Sequence, residues 1–470
     1  MERLSGLDNL FLWLERRQQP LHVAGLQIYR FPEGSNSHYV SELAQYLREF
    51  KAPTKPFDQH IVSRLTGNHW AHDEKFDIDH HFRHVALPKP GGPKELLSFI
   101  SAEHSNLLDR SRPMWETYLI EAMHGRHFAL YTKIHHSLVD GVSAMRLSMR
   151  MLSRDPAQQD MPPIWQLPPA EKRVRDASDG LWSQLSTLAR MAGSQVKAIP
   201  VVANALVKTV QHARQNPELA HVFTAPQCRL TQNITGSRRF AAQSFSAARF
   251  KAIATSLDAT TNDVILAVCG GALRAYLKFH NDLPEKPLIA MVPLSLRKDD
   301  SVGGNQVATI LANLGTHVED SLERFQVVRQ SVLEGKERFA NMTPEQIIDY
   351  TALTLAPTGL AVLTGLMPQW LAFNVVISNV PGPKEQCYWN GAQLEHMFPV
   401  SAIVNHMALN ITLISYLDRL EFGVVGCRRT LPSLQRLLNH MEQELEALEQ
   451  RLDIKPVSRD IRRSRTTVPN

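Results

Sequence analysis

An apolar run over residues 127–134 stops at His135-His136-Ser137-Leu138-Val139-Asp140-Gly141, and that junction limits what this chain can fold into. The run reads as a strand. Gly141 and the small residues after Asp140 break the strand and open a helix, so the two histidines stand at a strand-to-helix turn. A pleat sends neighbouring side chains to opposite faces. His135 and His136 are therefore expected to look in opposite directions, with only one of them doing chemistry. Asp140 follows His136 by four positions across the turn, close enough to brace the local backbone. A neutral imidazole near pH 7 can take a proton from a hydroxyl and hand it on later. The pattern holds a base and no nucleophile, which suits transfer between two bound substrates.

A second pair, His80-His81, acts as an internal control. It is followed by Phe82, Arg83 and His84 rather than by an acid and a glycine. Adjacent histidines are common in a chain with 20 of them, and a bare pair reads as one half-buried and one exposed strand residue. The Asp and Gly at fixed spacing set the pair at 135 apart.

At 470 residues the chain exceeds one ordinary core and fits two domains. Its 43% hydrophobic and 21% charged residues are globular proportions. A mean hydropathy of −0.22 argues against a polytopic membrane protein. The net charge of +5 is spread along the chain except for Arg459, Arg462, Arg463 and Arg465. That cluster reads as a solvated terminus, or as a patch drawn to anionic lipid. Nucleic acid is not an expected partner, because no basic-aromatic ladder or reading motif is present. Cys228, Cys269, Cys387 and Cys427 lie far apart, so neither a zinc site nor a disulfide framework is indicated, and a reducing cytosol is expected. The first six residues lack the apolar core of a signal peptide. Residues 350–383 carry no charge, yet Pro357, Gly359, Gly365 and Pro368 interrupt them. They read as a short buried helix, a break, and a buried strand over 371–378, forming a tunnel wall or a patch that touches lipid.

The chain divides into three parts. Residues 1–155 alternate strands and helices, with a helix capped by Ser5 or Asp8, a strand over 23–31, and paired strands over 118–123 and 127–134. Residues 156–237 form a linker and helical crossover, rich in proline at first and helical over about 176–215. Residues 238–470 hold strands over 240–245, 288–294 and 307–314, a helix capped by Asn262, a long helix over 320–340, a hairpin over 408–425 and a closing helix over 431–452. Both ends are α/β in kind, a weak hint of two related lobes.

Together these residues resemble the bacterial wax ester synthase/diacylglycerol acyltransferases, within the CoA-dependent acyltransferases that share an HHxxxDG or HxxxD site. The likeness runs nearly the whole length. It includes Leu4-Ser5-Gly6-Leu7-Asp8, Pro20-Leu21-His22-Val23, Arg112-Pro113-Met114-Trp115-Glu116, Thr261-Asn262-Asp263-Val264, Val292-Pro293-Leu294-Ser295-Leu296-Arg297 and Ser378-Asn379-Val380-Pro381-Gly382-Pro383. Met114 stands where the family usually has Leu, a mild apolar swap. The resemblance implies an α/β fold of two chloramphenicol-acetyltransferase-like lobes with an active-site channel between them. It implies acyl-CoA as co-substrate with no other cofactor, a long-chain alcohol or diacylglycerol acceptor, and a peripheral place at the inner membrane or on lipid inclusions.

On this reading His136 is the general base, His135 a support on the opposite face, and Asp140 a structural brace with Arg297 as candidate partner. Gly141 permits a tight turn or close approach of substrate. Asn262, Asp263, Ser295, Arg297 and Asn379 are candidate substrate-binding residues, although Asn262 and Asp263 also read as an ordinary helix cap. Pro113 and Trp115 read as packing. No Gly-x-Ser-x-Gly elbow is present, so acyl transfer is expected to be direct, without an acyl-enzyme. The alternatives are an amide-forming condensation domain, which uses the same histidine motif, and a non-catalytic acyl-lipid-binding protein. A metalloenzyme is the remotest alternative, for want of a third ligand at suitable spacing. The sequence sets neither acyl chain length, nor preferred acceptor, nor oligomeric state.

Overall fold

The computed structural model describes residues 2–65, 67–167, 225–295, 307–340 and 371–454. The first part runs β1 (Glu2–Arg3), α1 (Gly6–Leu14), β2 (His22–Arg30), α2 (Tyr39–Arg48), β3 (Gln59–Arg64) and β4 (Gly67–His72). It continues with α3 (Ile78–His81), β5 (Phe82–Ala86), α4 (Pro93–Glu103), β6 (Trp115–Met123), β7 (His127–His135) and α5 (Gly141–Arg150). The second part opens with β8 (Arg238–Ser246), α6 (Ala247–Ser256), α7 (Thr261–Phe279), β9 (Ile289–Ser295), β10 (Val307–Asn313) and α8 (Ser321–Ala340). It ends with β11 (Val375–Val380), β12 (Tyr388–Trp389), β13 (Ala392–Val400), β14 (Leu409–Tyr416), β15 (Arg419–Cys427) and α9 (Gln435–Arg451).

Two six-stranded sheets organise these elements, in the orders β12-β13-β2-β7-β6-β5 and β10-β9-β11-β14-β15-β8. A small sheet, β1-β4-β3, stands beside the first. Strands expected over 23–31, 240–245, 288–294, 307–314 and the hairpin over 408–425 are all present within two residues. Local chemistry explains the helix starts. Ser5 Oγ accepts from Asp8 N at 3.1 Å while the Asp8 carboxylate accepts from Ser5 N at 3.2 Å, a reciprocal cap. The same exchange starts α7, but between Thr260 and Asp263, not at Asn262 as expected. Thr260 wins because its hydroxyl and Asp263 satisfy each other's backbone N–H three positions apart.

The expected division of the chain needs one correction. Residues 238–470 do not all belong to the second lobe, because β13 leaves it and pairs antiparallel with β2, from Gln393↔Arg30 to Val400↔Ala24. The edge of the first sheet is thus completed by the last third of the chain. The strand escaped sequence reading because Ala392–Val400 mixes Gln, Glu, His and Pro among its apolar residues, so its alternation is faint. The uncharged stretch 350–383 is described only from 371, and its strand runs over Val375–Val380 rather than 371–378. Of the expected crossover, 168–224, with its helical stretch and Pro168 and Pro169, lies outside the described residues. The proline-rich start is not free linker. Trp165 is buried and stacks on Trp115 at 5.2 Å, while its carbonyl accepts from Thr54 N at 2.8 Å.

The lobes meet at close quarters. Gly423 on β15 faces Pro399 on β13, and a Cβ at 423 would overlap the Pro399 carbonyl oxygen. Nearby, His396 Nδ1 lies 3.1 Å from the buried Glu421 carboxylate, a polar tie between the two sheets. Gly423→Ala should force the sheets apart and cost about 1–3 kcal/mol, the usual range for overpacking. Urea denaturation of the variant checks this, and an unchanged midpoint would contradict the contact.

Candidate active site

The pleat of β7 sorts its side chains. Tyr131, Lys133 and His135 turn to one face, while Thr132, Ile134 and His136 turn to the other and line a cavity of about 180 Å³. The first sheet and α5 supply Val23, Gly25, Ile134, His136, Ala144 and Met145. The second sheet supplies Met291, Thr309, Val376, Ser378, Asn410 and Thr412. The cavity therefore lies between the lobes, with mainly alkyl walls and a few polar groups.

His135 and His136 face apart, as the pleat requires. His135 is fully buried, with Nε2 3.3 Å from Glu15 Oε1. Its Nδ1 accepts the Ser137 backbone N–H at 3.1 Å and lies 2.7 Å from Ser137 Oγ. The proton therefore sits on Nε2, against the carboxylate. Glu15 also accepts from Leu21 N at 3.0 Å and from Arg110 Nε and Nη2 at 3.1 and 3.0 Å. Burial pushes the Glu15 carboxyl up, but His135, Leu21 and Arg110 outweigh it and hold it below its ordinary value. Sequence reading missed Glu15, because nothing local separates it from any acid at a helix end.

His136 lies one residue past β7, anchored by its backbone N–H on Leu21 O at 2.9 Å. The residue is 8% exposed, and its ring stacks on Phe11 of α1, centroids 4.4 Å apart and planes 14° apart. Burial pushes its pKa down to about 4, against the pull of the Asp140 charge. The ring is thus neutral at pH 7 and able to accept a proton. Asp140 caps α5, with Oδ1 accepting from Ser143 N and Oδ2 from Ser143 Oγ, both at 2.7 Å. That geometry makes it a brace for the turn as well as a nearby negative charge. Its candidate partner Arg297 lies outside the described residues.

The remaining candidates separate. Gly141 lines the cavity, but a Cβ there would meet Val23 Cγ1 at an ordinary 3.8 Å, so the turn itself does not require glycine. Its small size leaves room beside the imidazole. Asn262 is the second residue of α7, half-buried and not among the cavity walls; Asp263 is occupied by the cap. Asn379 is exposed, because the pleat of β11 turns its neighbours Ser378 and Val380 to the cavity instead. Ser295 ends β9, its backbone paired with Val307. Trp115 and Pro113 are both buried packing, as expected. Phe11, which stacks on His136, and the cavity residues Thr309, Ser401, Asn410 and Thr412 were not anticipated, since each comes from a distant part of the chain. Among the described residues no group of three or more His, Cys, Asp or Glu is placed to hold a metal ion.

Two interlocked α/β lobes, with a neutral histidine in an apolar cavity between them, are the architecture expected of a two-lobed acyltransferase. The comparisons with known proteins agree. Residues 4–265 match the wax ester synthase/diacylglycerol acyltransferase catalytic domain, and 303–449 match the C-terminal domain of the same family. An O-acyltransferase WSD of Acinetobacter baylyi is 48% identical, covering 96% of this chain and 97% of its own. A probable diacylglycerol O-acyltransferase of Mycobacterium tuberculosis is 42% identical, covering 97% of this chain and all of its own. The solved wax ester synthase/diacylglycerol acyltransferase of Marinobacter aquaeolei superposes with a TM-score of 0.83 at 50% identity, covering 96% of this chain and 100% of that one. A starter condensation domain of rhizomide synthetase, at 12% identity and a TM-score of 0.52, shares the fold. The chain belongs to the wax ester synthase/diacylglycerol acyltransferase family and is an O-acyltransferase.

The electrostatics of His136 set a pH profile. A base must be unprotonated to act, so kcat/KM should rise through about pH 4 and be flat near pH 7, whereas an ordinary histidine would place the rise near 6.5. Asp140→Asn keeps a capping side chain but removes the charge that favours imidazolium, so the acid limb should move lower still. Initial rates across pH for both proteins check this; a limb near 6.5, or an upward move in the variant, would refute it.

Proposed function

We propose that this enzyme moves a long-chain acyl group from acyl-CoA to a fatty alcohol, giving a wax ester, or to diacylglycerol, giving triacylglycerol, with His136 as general base. The observation that carries this is a neutral imidazole on the wall of an alkyl-lined cavity between the lobes. The imidazole takes the acceptor's hydroxyl proton as the oxygen attacks the thioester carbonyl. The tetrahedral oxyanion collapses, the C–S bond breaks, and the imidazolium returns its proton to the leaving thiolate. No residue is acylated, and the acyl-CoA is a co-substrate; no other cofactor enters. His135, held by Glu15, fixes the strand end from which His136 projects, and Asp140 and Gly141 shape the turn that follows. Asn262, Asp263 and Asn379, which are not among the cavity walls, take no part in this reading, and Ser295 and Arg297 stay in it only as candidate substrate contacts outside the proton transfer.

Thiol release from palmitoyl-CoA against a panel of fatty alcohols and diacylglycerol tests the activity. His136→Ala should lower kcat on the order of 10²–10⁴-fold, the usual worth of general-base catalysis. A variant that turns over like the wild type would leave a lipid-binding protein as the better reading. Preference for amine over hydroxyl acceptors would favour the amide-forming alternative.

We also propose a cytoplasmic enzyme that docks peripherally on the inner membrane or on lipid inclusions. No helix among the described residues is long and apolar enough to cross a membrane. Support for docking comes from one surface. Trp13 on α1 is 60% exposed, and Leu65 at the β3–β4 turn is fully exposed. The two elements are tied by Asn68 Nδ2 donating to Asn9 Oδ1 at 2.9 Å. Arg3, Arg16, Arg17 and Arg64 are exposed on the same segments, while the acids Asp8 and Glu15 are buried, leaving only Glu2. An exposed aromatic and leucine, with exposed arginines on the same segments, fit an anionic lipid surface. Trp13→Ser should weaken sedimentation with phosphatidylglycerol vesicles, and Arg16→Ala and Arg17→Ala should each cost about 1 kcal/mol of binding. Equal binding by all three variants would rule this face out.

A further inference from the structure

The proton path above leaves the oxyanion without a donor, and we infer that Asn410 Nδ2 supplies it. This rests on the acyl-transfer reading and adds to it a second catalytic residue, from the other lobe. The argument begins with hydrogen-bond direction. Thr412 Oγ1 donates to Asn410 Oδ1 at 2.8 Å. A hydroxyl has one proton, so the 2.8 Å contact between Ser401 Oγ and Thr412 Oγ1 must run from Ser401 to Thr412. The relay Ser401→Thr412→Asn410 engages the carboxamide by its oxygen. Its nitrogen, with two N–H donors, makes no hydrogen bond among the described residues, and Asn410 lines the cavity.

Register places that amide at the level of the imidazole. Asn410 on β14 pairs with Val376 on β11, and Val376 pairs with Met291 on β9. Val376 and Met291 pack in one cluster with Phe11, the ring on which His136 stacks. From the other lobe, Ser401 follows Val400, which pairs with Ala24, while His22 on the same strand pairs with His135. Ser401 thus stands one strand away from the end of β7. Its carbonyl lies 3.1 Å from His104 Nε2, and His104 Nδ1 lies 2.9 Å from Tyr131 Oη, so the start of the relay is pinned to the first sheet. The donor is therefore preorganised by both lobes before substrate arrives.

In the reaction the acceptor oxygen forms its bond to the thioester carbon as its proton passes to His136. The carbonyl π pair moves to oxygen, where the Asn410 N–H groups meet it. The pair returns as the C–S bond breaks, and the thiolate takes the proton from the imidazolium. A donor aimed at charge that exists only in the transition state raises kcat and leaves ground-state binding alone.

The test is the steady-state kinetics of Asn410→Ala and Asn410→Asp with palmitoyl-CoA and hexadecanol. Loss of one such donor should lower kcat by about 10²–10³-fold with KM for palmitoyl-CoA unchanged, and the carboxylate should be the worse of the two. Thr412→Val frees the amide to turn and should lower kcat by less than Asn410→Ala does; it reads the same group if an Asn410 variant fails to fold. Binding gives a second readout. Wild type should hold a trifluoromethyl ketone analogue of palmitoyl-CoA more tightly than the thioether analogue, and Asn410→Ala should lose that preference. Wild-type kcat in the Asn410 variants, or an undiminished preference, overturns the assignment. A wild-type enzyme with no ester-forming activity overturns the acyl-transfer reading itself.

Discussion

A single buried carboxylate joins the pieces of backbone that the site is made from. Glu15 ends α1, accepts the N–H of Leu21 at the entrance to β2, receives Arg110 from the segment before β6, and meets His135 at the end of β7. A charge taken out of water is tolerated only with such partners. Once they are in place, the end of β7 has one position and His135 one tautomer. His136, the next residue, is then delivered to the cavity against Phe11, which is carried by the same helix that ends in Glu15. The two histidines differ in role because one is held by a charge and the other is left to face alkyl groups.

Those alkyl groups keep the proposed base neutral. Burial lowers His136 to about 4, and it likewise lowers His22 and His104 behind the strand, where no ionised acid compensates. The polar groups on that rear face meet carbonyls, hydroxyls and, at Lys133, the Glu116 carboxylate. His22 Nε2 meets His104 O at 3.1 Å, and Lys133 Nζ meets Glu103 O at 3.1 Å and Glu116 at 3.0 Å. The first sheet is thus polar and rigid behind the site and apolar in front of it. A neutral imidazole on the front accepts a proton from a hydroxyl that would itself be poorly solvated there.

The exchange of β13 makes the cavity a property of both lobes. Pro399 and Val400 reach it as part of the first sheet, and the chain then runs through Ser401 and Ala402 into β14 of the second. A hinge between the lobes would have to strain this strand and the Gly423–Pro399 contact together. The fold therefore favours a fixed channel into which two long substrates enter, over a clamp that closes on them.

Much of this was legible in the residues themselves. The apolar run over 127–134 and the break at Asp140-Gly141 set a strand, a turn and a helix, and the pleat alone separates His135 from His136. The Asn-Asp and Asn-Val-Pro-Gly-Pro stretches pointed to the family, yet Asp263 is a helix cap and Asn379 faces away from the cavity. Conspicuous residues in a motif can thus serve the backbone rather than the substrate. Glu15, Ser401, Asn410 and Thr412 carried no local signal, because each matters through what it meets in the folded molecule: Glu15 reaches His135, Ser401 reaches His104, and Asn410 and Thr412 share the cavity with His136. Periodicity and capping act over a few residues and are written in the order of the chain. Strand register and the burial of a charge act across the folded molecule, so only the tertiary structure decided which carboxylate meets His135 and which amide shares the cavity with His136.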